Sequence, residues 1–130
     1  MYNYRPATYQ IFRDGVRSEN RDKLAQNIAK FVQDNGLDGV DIDWEYPAAP
    51  DLPDIPKGDP VEGDDYLKFL TRLRELLSKD KYSVSFAAPA SFWYLQGFPI
   101  DKIMKVVDYV IYMTYDLHGQ VILSHKYPIV

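Results

Sequence analysis

The stretch Asp38-Gly-Val-Asp41-Ile-Asp43-Trp-Glu45-Tyr-Pro47 decides how the rest of this chain is read. The segment 37–46 is short, carries β-branched residues and is bounded by Gly36 and Pro47, which predicts a buried strand. Successive side chains of a strand point to opposite sides, so Val40, Ile42 and Trp44 share one face while Asp41, Asp43 and Glu45 share the other. Like charges raise one another's pKa, so three stacked carboxylates turned to a low-dielectric interior must share protons or bind a cation. Three readings are open at this point. The acids form a solvated face; or they offer hard oxygen ligands to magnesium or calcium, although such sites usually draw on several loops; or one of them stays protonated as a catalytic acid while its neighbours carry charge or share a proton.

Working outward, Leu24, Ile28, Phe31 and Val32 form one stripe of an amphipathic helix over 20–34, with Gly36 placed to cap its end. Residues 1–17 show no sustained period and read as a loop, with a short extended piece at 8–12. On the other side, five of the nine prolines fall within 47–65, which predicts a long, semi-rigid loop. Asp64 or Asp65 is then expected to cap a helix running to about Ser78, with Tyr66, Phe69, Leu70, Leu73, Leu76 and Leu77 as its apolar stripe. A strand over 82–88, a short helix over 99–108 and a strand over 109–115 follow. This alternation predicts an α/β fold with a parallel sheet, in which the loop after each strand is open to chemistry. A strand flanked by helices is normally buried on both faces, so an acidic inner face calls for a functional reason.

At 46% hydrophobic and 26% charged residues the chain has the composition of a globular domain and not of a disordered tail. Its formal net charge of −4, without any basic run, gives a phosphate backbone nothing to bind, so nucleic acid is not an expected partner. There is no cysteine, which excludes disulfides, thiolate zinc and a thiol nucleophile, and two histidines do not make a histidine-rich metal centre. No stretch approaches the roughly 18 apolar residues of a membrane span, and the opening Met-Tyr-Asn-Tyr-Arg-Pro lacks the apolar core of a secretory signal. The expectation is of no metal, no cofactor and no membrane contact.

Asp38, Asp41, Asp43 and Glu45 fit the pattern D-x-x-D-x-D-x-E, and the segment resembles the signature strand of glycoside hydrolase family 18, the chitinases. Ser-Phe-Ala-Ala-Pro-Ala at 85–90 is similar to the family's fifth barrel strand, and Met113-Thr-Tyr115-Asp116 to its sixth. Ala-Ser-Phe-Trp-Tyr-Leu-Gln-Gly-Phe-Pro at 90–99 and Tyr-Asp-Leu-His-Gly-Gln at 115–120 look like the fungal branch. The resemblance implies a partial (β/α)8 TIM barrel, about strands four to six with flanking helices, and retaining hydrolysis of β-1,4-linked N-acetylglucosamine polymers, chitin or chito-oligosaccharide, outside the cell. In this family the substrate's own acetamido oxygen replaces the usual carboxylate nucleophile. By resemblance, Glu45 is the general acid, Asp43 holds and charges the acetamido group, and Asp41 shares a proton with Asp43, so that the pair titrates as a unit. Tyr115 would donate to the acetamido oxygen, and Tyr46, Met113 and Asp116 would contact sugar. Parity places Trp44 toward the helices and Asp38 at the start of the strand, and puts Met113 and Tyr115 on the same interior face. Trp93 and Tyr94 read equally as sugar-stacking or as packing residues, and His118 as a loop residue.

The chain departs from the family in length, since a complete barrel typically takes about 250 residues. Residues 1–120 are expected to be an incomplete catalytic domain and 121–130 a divergent tail, as in a truncated gene product or an incomplete gene model. Two other functions compete: a fragment without activity of its own, and a lectin-like chitin-binding protein, against which the retained Glu45 argues. Within the same motif, an endo-N-acetylglucosaminidase acting on glycoprotein glycans is a further alternative.

Overall fold

In the computed structural model, residues 6–52 and 54–117 are described. The chain opens with a helix, α1 (Pro6–Gly15), where the sequence predicted a loop and an extended piece. Tyr9, Arg13 and Val16 recur at helical spacing and are all buried, with Phe12 packed beside them. Pro6 stands in the first turn, where its missing N–H costs nothing, so it starts this helix instead of breaking it. Helix α2 (Arg21–Asp34) follows as expected, but its buried stripe is Ala25, Ala29 and Val32, whereas Phe31 is 61% exposed.

Strand β1 spans only Gly39–Ile42, shorter than the predicted 37–46. Helix α3 (Val61–Leu76) begins ahead of the predicted caps. Asp59 serves that end instead: its carboxylate accepts the Val61 N–H at 2.9 Å, while Glu62 reaches back to accept the Asp59 N–H at 3.0 Å. That reciprocal arrangement is a capping box, and Asp59-Pro-Val-Glu62 carries its D-x-x-E spacing in the sequence. Asp65 is instead paired with Arg21 of α2 at 2.7 Å. Strand β2 (Ser83–Pro89), a single turn of helix α4 (Phe92–Leu95), a short α5 (Ile100–Ile103), strand β3 (Tyr109–Met113) and a 3-10 turn (Thr114–Leu117) complete the described order.

The strands form one parallel sheet in the order β1-β2-β3, with Asp41 beside Ser85 and Ile42 beside Phe86, and Pro89 beside Met113 on the other side. Partners in register share a face, so Val40, Ile42, Val84 and Phe86 form one side, and Asp41, Ser85, Ala87, Ile111 and Met113 the other. The first side is covered by α3, whose Tyr66, Phe69, Leu70 and Leu73 are fully buried. Tyr66 is central to this layer, with its ring 5.4 Å from Trp44 and 6.4 Å from Phe86, both edge-on. At the end of the sheet where the strands begin, Arg74 donates to the carbonyls of Leu77 (3.1 Å), Tyr82 (2.9 Å) and Val106 (3.3 Å) and pairs with Asp108. Asp108 also accepts the Val84 N–H at 2.8 Å, so one arginine and one aspartate fasten a helix end to the starts of two strands.

Candidate active site

Because the three strands are parallel, the segments that follow them emerge at one edge of the sheet, which is where βα architectures place their chemistry. Asp41 lies within β1, and Asp43 and Glu45 lie just past its end. The in-and-out alternation outlasts the strand's hydrogen bonding: Asp41 and Asp43 are exposed, Ile42 and Trp44 buried, and Glu45 half-buried. Trp44 faces α1 and α3, as parity requires, with its ring 5.2 Å from that of Phe12.

Each acid meets a distinct environment. Asp41 Oδ1 accepts a 2.6 Å hydrogen bond from the hydroxyl of Ser85, its partner across the β1–β2 ladder. Ser85 is fully buried and is a site residue that the sequence reading left without a role. Only the register of β2 on β1 reveals it, and the sequence carries no signal for that register. Although its side chain reaches solvent, Asp43 is held above the ordinary aspartate range, first by partial loss of hydration from the protein around it and then by the negative charge of Asp41. Tyr66 approaches from the helix side and donates to the Ile42 carbonyl at 3.3 Å. Burial, followed by the charges of Asp41 and Asp43, pushes its phenol well above the usual value, so it remains a neutral donor beneath the acids.

Tyr46 follows Glu45 through a cis peptide bond and is buried, with its ring stacked on that of Tyr94 at 4.6 Å and 21°. One face of the expected sugar-contacting residue is therefore covered by Tyr94. Tyr94 is taken up by that stack and by a 3.2 Å hydrogen bond to Asp51, and burial followed by the nearby Asp51 charge pushes its phenol up to about 12. Trp93, by contrast, is 52% exposed and lines an open cleft with Ala48, Pro50, Pro60, Gln96 and Gly97. Gly97 closes this region onto the acid loop, because a Cβ there would lie 2.1 Å from the Pro47 carbonyl oxygen.

Met113 is buried at the end of β3 on the same face as Asp41 and Ser85, as expected. Tyr115 is not on the strand: β3 ends at Met113, and Tyr115 falls in the 3-10 turn, more than half exposed. Strand parity therefore does not apply to it, and a turn at the strand's end governs its direction. Asp116 belongs to the same turn with its side chain outside the described residues, and His118 lies outside them altogether. Among the described residues no group of three or more histidine, cysteine, aspartate or glutamate side chains is placed to hold a metal ion.

A parallel βα sheet with a row of carboxylates at the end of one strand is the arrangement of part of a (β/α) barrel enzyme. The match to the family model glycosyl hydrolases family 18 runs over residues 6–129, and the chain belongs to that family. It is 63% identical over 119 residues to a secreted chitinase, LysM12, of Penicillium expansum, covering 92% of this chain and 8% of that protein. A probable chitinase of the same fungus, LysM18, is 60% identical over 115 residues, covering 88% of this chain and again 8% of the relative. Among solved structures, chitinase ChiA74 from Bacillus thuringiensis superposes with a TM-score of 0.75 at 30% identity, over 85% of this chain and 19% of that one. The chain thus spans less than a tenth of the length of these two fungal relatives.

Proposed function

We propose that this chain carries the acid-bearing part of a chitinase site that hydrolyses β-1,4-linked N-acetylglucosamine polymers with retention, using the substrate's acetamido oxygen as nucleophile. The observation that supports this most is the placement of Glu45. It is half-buried just past the end of β1, two residues from an Asp43 whose proton is held more tightly than usual. Glu45 protonates the glycosidic oxygen and, as a carboxylate, later activates water. Asp43 accepts the acetamido N–H and stabilises the positive ring intermediate, a task suited to a charge-assisted hydrogen bond. Asp41, held by Ser85, shares the proton that Asp43 must gain and lose. Tyr115 donates to the acetamido oxygen, while Tyr46, Met113 and Asp116 shape the sugar site. Chitin or a chito-oligosaccharide is the substrate, and the chain acts outside the cell, as the secreted fungal relative does.

The test is hydrolysis of chito-oligosaccharides by the chain, both as its 130 residues and completed with the remaining strands of a barrel. Glu45→Gln should lower kcat by at least about 100-fold while leaving oligosaccharide binding in place, since it removes the proton and little else. Unchanged hydrolysis in that variant would remove Glu45 from the proposed role.

A further inference from the structure

The geometry points to the buried Arg13–Glu62 pair as the positioning element of the site, a clamp that sets the loop behind Glu45 through Tyr9. This inference rests on the function proposed above. Arg13 and Glu62 come from α1 and α3, and both side chains are almost completely buried, with Arg13 Nε 2.7 Å from Glu62 Oε1. Such a pair is costly to remove from water and holds only when its remaining hydrogen-bonding groups are satisfied. Here the loop that leaves the catalytic strand supplies partners to both carboxylate oxygens and to one guanidinium nitrogen, while Arg13 Nε meets Glu62 as an ion pair without a hydrogen bond. Glu62 Oε2 accepts the Ala48 N–H at 2.9 Å and Oε1 accepts the Asp59 N–H at 3.0 Å, so a single carboxylate grips both ends of the segment 48–59. Arg13 donates to the Pro56 carbonyl at 3.1 Å, near the far end of the same segment.

The clamp reaches the acid through one further residue. Arg13 Nη2 lies 3.4 Å from the Tyr9 hydroxyl, its guanidinium stands 4.7 Å from the Tyr9 ring centroid, and Tyr9 in turn donates to the Tyr46 carbonyl. Tyr46 is the residue bonded to Glu45, so its carbonyl is held from α1 while Ala48, two residues on, is held from α3. Gly58 makes the closure possible, because a Cβ at that position would lie 2.5 Å from the Ala48 carbonyl carbon. A proton donor must sit within a fraction of an ångström of its target, and a misplacement of about 1 Å can cost about 100-fold in rate. Arg13, Glu62 and Tyr9 are buried, and they act on Glu45 through the backbone that follows it.

The experiment is hydrogen–deuterium exchange on the full chain, unaltered and as Tyr9→Phe and Glu62→Gln, alongside kcat and KM on a chito-oligosaccharide. Tyr9→Phe keeps the buried ring and removes only the hydroxyl. Exchange over residues 46–59 should rise about tenfold in both variants, the scale set by one hydrogen bond to a charged network, with the β2 amides unaffected. The same variants should lose about tenfold in kcat with KM within about twofold, the split expected when orientation and not binding is lost. Unchanged exchange over 46–59 in Tyr9→Phe overturns the clamp whether or not the chain turns over, and so does unchanged kcat in an active chain. If Glu62→Gln also frees the β2 amides it has unfolded, and Tyr9→Phe alone decides. Absence of turnover in the unaltered chain and in its barrel-completed form would instead count against the proposed function, and the exchange result would still judge the clamp.

Discussion

Asp43 connects the site to the stability of the chain. Its carboxyl is held above the ordinary range by partial loss of hydration and by Asp41, so between its unfolded and folded pKa values the native state binds more protons than the unfolded one. Stability therefore falls as pH rises through that window, and the loss persists at neutral pH. Asp43→Asn, which removes the charge, should leave the Tm at pH 7 equal to or above that of the unaltered chain and flatten its dependence on pH across the acid range. A Tm at neutral pH clearly below the unaltered value would show that the carboxylate is stabilising where it stands. The row of acids was readable from parity alone, because alternation in a strand depends on nothing but the backbone. The hydroxyl of Ser85 on Asp41 was not, since it depends on a register between strands 44 residues apart. Tyr115 was misplaced for a related reason: parity was extended across a point where the chain turns into a 3-10 helix.

Among the elements, α2, α3 and the three strands were legible because their apolar residues repeat at one clear period over enough length. Helix α1 was not, since its buried set includes an arginine, which a hydrophobic pattern discards. The start of α3 is obscured by Asp64 and Asp65, which resemble caps but lie inside the helix, whereas the D-x-x-E box at Asp59 and Glu62 marks its true start. The turn α4 is four residues long, too short to show a period, yet it shapes the site. Gly97 at its end sets the distance between the segments after β1 and β2, and Gly97→Ala would drive a methyl group into the Pro47 carbonyl. We expect that variant to lose about 1–3 kcal/mol, the usual cost of overpacking, in denaturant unfolding. Its Tyr46–Tyr94 stack should loosen as well, and an unfolding midpoint that does not move would mean the two segments part without cost.

For the whole molecule, the class of fold was legible in the alternation of helices and strands. In the described residues β1 and β3 each pair with a neighbour on one side only, and Tyr109 and Ile111 stand 49% and 44% exposed on the acid-bearing face. Open parallel edges beside apolar surface invite association. The 130-residue chain alone should therefore sediment as oligomers or aggregate at micromolar concentration, and completion of the barrel should restore a monomer. A monodisperse, cooperatively unfolding monomer would contradict this. What the sequence could not convey is how the loops are tied down, because the ties run between helices and loops far apart in the chain and carry no period. The fastening of Arg74 and Asp108 sits where the strands begin, a full strand length from Glu45. The rim fastened by Arg74 can therefore be reinforced by substitution without touching the acid-bearing rim at the opposite end of the strands.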